Sequence, residues 1–252
     1  DLIARTGDIF QRVDPTLGGY YADMRDAGLL DLENRKNKSP GGFCTDFSYT
    51  ARPFIFMNAV GVHDDVQTLL HESGHAFHVY ESASLPFFQQ QDVSMEIAEV
   101  ASMSMELLAA PYLTTANGGF YSARDAARAR TEHLEGMLLF WPFMAVVDGF
   151  QHWAYTHPEE AVVGEACDAA WASLWSRFIP DVDFSGLETV KATGWHRKLH
   201  IFQLPFYYIE YGLAQLGAAQ VWANSLTDPA GALAAYRRAL ALGNTRPLPE
   251  LY

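Results

Sequence analysis

The chain has no apolar run of 18 residues, so no bilayer-spanning helix is expected. Its longest apolar stretch, Met137 to Val147, has eleven residues interrupted by Pro142 and reads as buried core. The first residues lack the charged-then-apolar pattern of a signal peptide. Cysteine is nearly missing. Cys44 and Cys167 are the only two, with no CxxC spacing, which excludes a disulfide scaffold and a thiolate zinc site and fits a reducing cytoplasm. Positive charge is also scarce: 17 Lys and Arg stand against 30 Asp and Glu. The net charge of −13 disfavours nucleic acid and anionic membrane as partners and weakly favours cationic peptides. Repeats, low-complexity tracts and linkers are absent from the sequence. What is present is 252 residues with 49% hydrophobic content, enough for a substantial core.

The periodicity is mostly helical. A short lead-in and helix are expected over residues 14–30, and a Gly- and Pro-rich β region over 36–58. Helices follow over 64–81 and 94–110, separated by a loop at 84–92 that Pro86 breaks. A long helical stretch over 121–157 has Pro142 as a kink point. Further helices are expected over 158–178, over 187–222 with a break near Pro205, and over 228–242. The β content is too small for an α/β fold, so the expected class is mainly α with a small β-sheet region, organised as one domain over 1–252.

The most informative run is His71-Glu72-Ser73-Gly74-His75. On a helix, positions i and i+4 share one face, so both imidazoles reach a single metal ion. The Glu between them is close enough to act on water at that metal, the arrangement of a zinc-dependent peptide hydrolase. Asp64 and Asp65 mark the helix start and Leu69, Leu70, Ala76 and Phe77 continue it, so the run lies inside a helix as this chemistry requires. Gly74 in mid-helix costs about 1 kcal/mol against Ala, which points to close approach by another group. The alternative is a pair of helical histidines with a surface Glu.

A catalytic zinc of this kind needs a third protein ligand and an open position. The next helix carries Glu96, Glu99 and Glu106 on an otherwise Ala- and Met-rich surface, where carboxylates are costly to bury unless they bind metal or hydrogen-bond. Periodicity does not choose between Glu96 and Glu99, and a solvated acidic stripe is the alternative.

The segments His71 to His78 and Ile97 to Glu106 resemble the active-site region of the thimet oligopeptidase and oligoendopeptidase F family of zinc metallopeptidases. The resemblance implies a helical zincin-type catalytic domain with its small sheet beside the zinc helix. It implies one Zn2+ per chain held by His71, His75 and Glu99, with Glu72 as general base. Glu106 matches a further acid of the family pattern and is read as orienting a zinc-ligating His. His78 matches a His of the extended motif, and either supports a zinc ligand, lines the cleft or lies in the core. Upstream, Lys38 to Cys44 and Arg52 to Asn58 are similar to the family's strand region. Paired Gly followed by aromatic and β-branched residues reads as turn then strand, and an edge strand beside the zinc can pair with a peptide backbone. Downstream, Trp195 to Phe202 and Pro205 to Gly212 are similar to the oligoendopeptidase F branch. Matched residue by residue, His200, Tyr208 and Tyr211 face the zinc as donors to an oxyanion, with Tyr207 a rival for Tyr208.

The expected activity is therefore zinc-dependent hydrolysis of internal bonds in short peptides, with no nucleic-acid or membrane partner and an oligomeric state left open. A metallocarboxypeptidase of related helical fold is the first alternative, with Arg197 and Lys198 as candidate carboxylate binders. A non-catalytic zinc-binding helical fragment is the second, although a structural site has no need of Glu72. The start at Asp1 without Met, and the greater length of family members, lead to the expectation that this is a fragment of a two-lobed protein.

Overall fold

The computed structural model describes all 252 residues, and 68% of them are helical. The chain divides into two compact units, residues 1–131 with 214–252, and residues 132–213.

In the first unit, α1 (Leu2–Val13) and α2 (Pro15–Asp26) form an antiparallel pair. The expected elements begin only at residue 14, yet residues 2–13 form an amphipathic helix in which Ile9 and Phe10 are fully buried. The junction is set by Asp14, whose carboxylate accepts the N–H groups of Thr16 (2.7 Å) and Leu17 (3.2 Å), while Pro15 takes the first helical position, where no N–H is needed.

The sheet has three strands in the order β1-β3-β2: β1 (Leu30–Glu33), β2 (Phe43–Phe47) and β3 (Arg52–Ala59). β3 pairs in parallel with β1, Leu30 opposite Ile55, and antiparallel with β2, Cys44 opposite Ile55. β1 thus lies outside the expected β region, at the end of the expected first helix. Pro53 is tolerated because only β2 pairs with β3 at that level. Along β3, Pro53, Ile55 and Met57 are buried, the alternation of a strand with one face on the core. That face packs on α3 (His63–Ser82).

The entry to α3 is pinned by one side chain. Oδ2 of the buried Asp65 accepts the N–H groups of Val60 (2.9 Å), Gly61 (2.6 Å) and Val62 (2.9 Å). Asp65→Ala orphans all three donors, and is expected to cost about 1–3 kcal/mol in urea unfolding at unchanged m-value. A midpoint equal to that of the parent chain would show that water replaces the carboxylate without loss.

α3 packs most extensively on α5 (Met95–Ala109), with a single helical turn, α4 (Phe88–Gln91), in the loop between them. The core beneath is apolar and aromatic: Phe10 meets Phe77 edge to face at 4.9 Å, and Leu17, Tyr21, Leu69 and Leu70 are fully buried around them. α11 (Pro229–Leu242) completes this core with Tyr236, whose hydroxyl donates to the Ala101 carbonyl at 2.8 Å.

α6 (Ala123–Thr156) is a single 34-residue helix that runs through Pro142. The second unit has its own core, in which Val146, Val147 and Phe150 of α6 pack with Cys167 and Trp171 of α7 (Gly164–Phe178). Residues 187–222 divide, after short α8 (Glu188–Ala192), into α9 (Leu199–Gln203) and α10 (Tyr208–Thr227). The break near Pro205 passes through Phe206, a bulky residue at φ 62° whose N–H donates to Gln151 Oε1 at 2.9 Å.

Candidate metal centre

The geometry of the site begins with Gly74. A Cβ at that position would lie 2.5 Å from both the Ala101 carbonyl oxygen and Ser102 Cα. The glycine therefore lets the backbone of α5 touch α3 one residue before His75. This is the close approach that a mid-helix Gly implies, and it brings Glu99 to the histidines.

The donor atoms of His71, His75 and Glu99 all lie within 4.8 Å of one another. Glu99 Oε2 is 3.3 Å from His71 Nε2 and 3.7 Å from His75 Nε2. The two rings stand nearly perpendicular, with centroids 5.1 Å apart. Of the two carboxylates that periodicity leaves open, Glu99 is the one that converges on both imidazoles. It is 4% exposed, with Ser102 Oγ 2.9 Å from Oε2. The other nitrogen of His71, Nδ1, lies 2.7 Å from Glu106 Oε1, which fixes the ring with Nε2 towards Glu99. Two imidazole nitrogens and a buried carboxylate suit a divalent metal with nitrogen and oxygen ligands, zinc above all.

The electrostatics agree. Burial pushes His75 down to about 4, so its ring is neutral, the ligating form. Burial also opposes charge on His71, but the hydrogen bonds and charges of Glu106 and Glu99 outweigh it and hold this ring well above the ordinary imidazole range. A cation held by these groups would take the place of that proton. Glu72, only 7% exposed, is raised to about 7, first by burial and then by the charges of Glu99 and Glu106, against the opposing His71 and the Cys44 main-chain N–H. A bound cation would act in the opposite sense and favour the ionised form of Glu72.

If Glu106 orients His71, Glu106→Ala is expected to weaken zinc binding about 10–100-fold with the helices intact. Competition against a chromophoric chelator measures this directly, and parental affinity in the variant would reject the role.

The remaining expected residues form a group of their own in the second unit. Tyr211 Oη lies 3.3 Å from His200 Nε2. Tyr208 stands edge-on to His200 at 5.2 Å, and Tyr207 is stacked on it at 5.6 Å. Tyr208 is the more buried of the pair, and its hydroxyl is raised by that burial. His78 is buried, with neither ring nitrogen hydrogen-bonded, and it also lines a cavity beside His75.

Residues 21–252 match peptidase family M3. The chain belongs to peptidase family M3. That family is zinc-dependent, which accords with the donor set above. Among curated relatives, the M3 chain is 24% identical over 243 residues to an oligoendopeptidase F homolog of Borreliella burgdorferi. The match covers 93% of this chain and 40% of that protein. Against oligopeptidase PepF of Bacillus subtilis it is 33% identical over 101 residues, covering 38% of this chain and 15% of the relative. Its fold matches the structure of PZ peptidase A with an inhibitor at TM-score 0.91 and 33% identity, over 99% of this M3 chain and 43% of that one. The chain thus spans about two fifths of the length of the relatives it matches along its whole length.

Proposed function

We propose that this chain carries the catalytic centre of a zinc-dependent endopeptidase that hydrolyses internal bonds of short peptides. The observation that carries the proposal is the convergence of His71, His75 and Glu99 from two helices, with buried Glu72 between the histidines in an M3 chain. In this reading the three residues hold one zinc, which when bound supplies a Lewis acid that activates water and polarises the scissile carbonyl. Glu72 accepts the proton of the attacking water on its carboxylate and passes it to the leaving amine. Glu106 keeps the His71 ring aligned. Tyr208 and Tyr211, with His200 beside them, donate to the oxyanion, and Tyr207 is the substitute for Tyr208.

The peptide backbone pairs along β2, an edge strand of the sheet that packs on α3. Such main-chain pairing tolerates many sequences. A reducing cytoplasm as the working compartment is part of the proposal, in keeping with the free Cys44 and Cys167.

The test is metal content together with cleavage of an internally quenched peptide, with and without chelator. One zinc per chain and a chelator-sensitive cut at an internal bond, located by mass spectrometry, are expected. Release of single C-terminal residues would replace the endopeptidase with a carboxypeptidase. Failure to bind zinc after its addition would reject the metal centre itself.

A further inference from the structure

The reaction as described leaves one neighbouring cavity unused. It has a volume of about 350 Å³ and runs along the C-terminal half of α3, where His75, His78 and Val79 line it. Asp46 of β2, Asp92 between α4 and α5, and Met95 at the start of α5 also line it.

Three features give the cavity a chemical preference. His78, which lines it, is 4% exposed and neither of its ring nitrogens has a hydrogen-bond partner. Buried polar atoms are almost always satisfied, so an unpaired imidazole against an open cavity points to a ligand with hydrogen-bonding capacity. Burial keeps this ring neutral, so one nitrogen presents an acceptor lone pair. The wall formed by Val79 and Met95 is apolar. Two exposed carboxylates, Asp46 and Asp92, stand towards solvent. Asp46 accepts from Ser48 at 2.9 Å, and Arg52, at the start of the neighbouring strand, pairs with Asp23 instead. An apolar passage that ends in carboxylates and a ring acceptor fits a long aliphatic stem with a cationic head.

We propose that this cavity is a specificity pocket for a Lys or Arg side chain of the peptide, at one of the two residues flanking the cleaved bond. The inference rests on the endopeptidase reading, because it is His75, shared by the cavity wall and the candidate metal centre, that puts the pocket next to the reacting bond. The stem lies along Val79 and Met95, the head meets Asp46 and Asp92, and His78 accepts one further N–H from it.

The test uses the zinc-loaded Glu72→Gln chain, so that binding is read without turnover. Fluorescence anisotropy compares peptides identical except for one flanking residue, set in turn to Lys, Arg, norleucine and citrulline. The Lys and Arg peptides are expected to bind about tenfold more tightly than their neutral counterparts, the effect of two partly screened ion pairs. Moving the same Lys four residues away, at constant net charge, should abolish the gain. Combining Asp46→Asn with Asp92→Asn should bring the ratio close to one. Equal affinities for Lys and norleucine at both flanks, or a gain that follows net charge wherever the Lys sits, would overturn the proposal. Cleavage of the norleucine peptide by the wild-type chain is read separately, which keeps failure of the pocket distinct from failure of the endopeptidase reading.

Discussion

Glu72→Gln is expected to keep one zinc per chain and to lower turnover about 10²–10⁴-fold. The amide has nearly the shape of the carboxylate, so it fills the same buried space, and Glu72 is not among the converging donor atoms. Metal should therefore stay. What is lost is a group that takes a proton from water and returns it to the leaving amine. Stability should not fall with activity, because burial already disfavours charge at position 72 and has raised its carboxyl to about 7. Zinc stoichiometry, kcat on a quenched peptide and a urea midpoint measured on one preparation separate these effects. Comparable kcat in the variant would remove Glu72 from the mechanism. Loss of zinc would make it a group that retains the metal.

The second large effect is on the contact between the two zinc helices. Gly74→Ala gains about 1 kcal/mol of helix propensity. It also places a methyl 2.5 Å from the Ala101 carbonyl oxygen and Ser102 Cα. These are backbone atoms in a buried helix and cannot rotate aside as a flexible side chain can. Overpacking of this kind costs about 1–3 kcal/mol, so the net change is a modest loss of stability for Ala and a larger one for Val. The greater consequence is for the metal. Separating α5 from α3 moves Glu99 away from His71 and His75, and Ser102, which lies against the Glu99 carboxylate, moves with it. Zinc affinity is expected to fall at least tenfold in Gly74→Ala, well beyond what the stability change alone would give. Unchanged affinity in a folded Gly74→Ala chain would show that the helices have room to spare.

The legibility of these parts in the sequence differed for physical reasons. His71, Glu72 and His75 were readable because a single helix fixes their mutual geometry, whatever surrounds it. Gly74 was readable through its cost: a poor helix former in mid-helix needs a close neighbour. Glu99 was not separable from Glu96 by periodicity, since both fit one broad face of α5; the choice is made by the packing of α5 on α3. α1 was missed although its sequence is strongly amphipathic, with Ile9 and Phe10 on the face that packs against a core other segments supply. β1 is four residues long and takes its register from β3, more than twenty residues away, so no local pattern announced it. The two compact units had no linker to reveal them, because their boundaries at 131/132 and 213/214 fall inside α6 and α10.

The donors of the candidate metal centre come from two separate helices, and this ties the ion to thermodynamic linkage as well as to catalysis. A ligand that binds only the folded chain adds RT ln(1 + [L]/Kd) to its stability, about 4 kcal/mol at a thousandfold excess over Kd. Zinc would thus act as a reversible cross-link between His75 and Glu99, closing 24 residues of chain as a disulfide does, but released by acid or a chelator instead of a reductant. The midpoint of thermal unfolding of residues 1–131 with 214–252 should then rise with free zinc concentration. The metal supply would govern how long the protein survives as well as how fast it works.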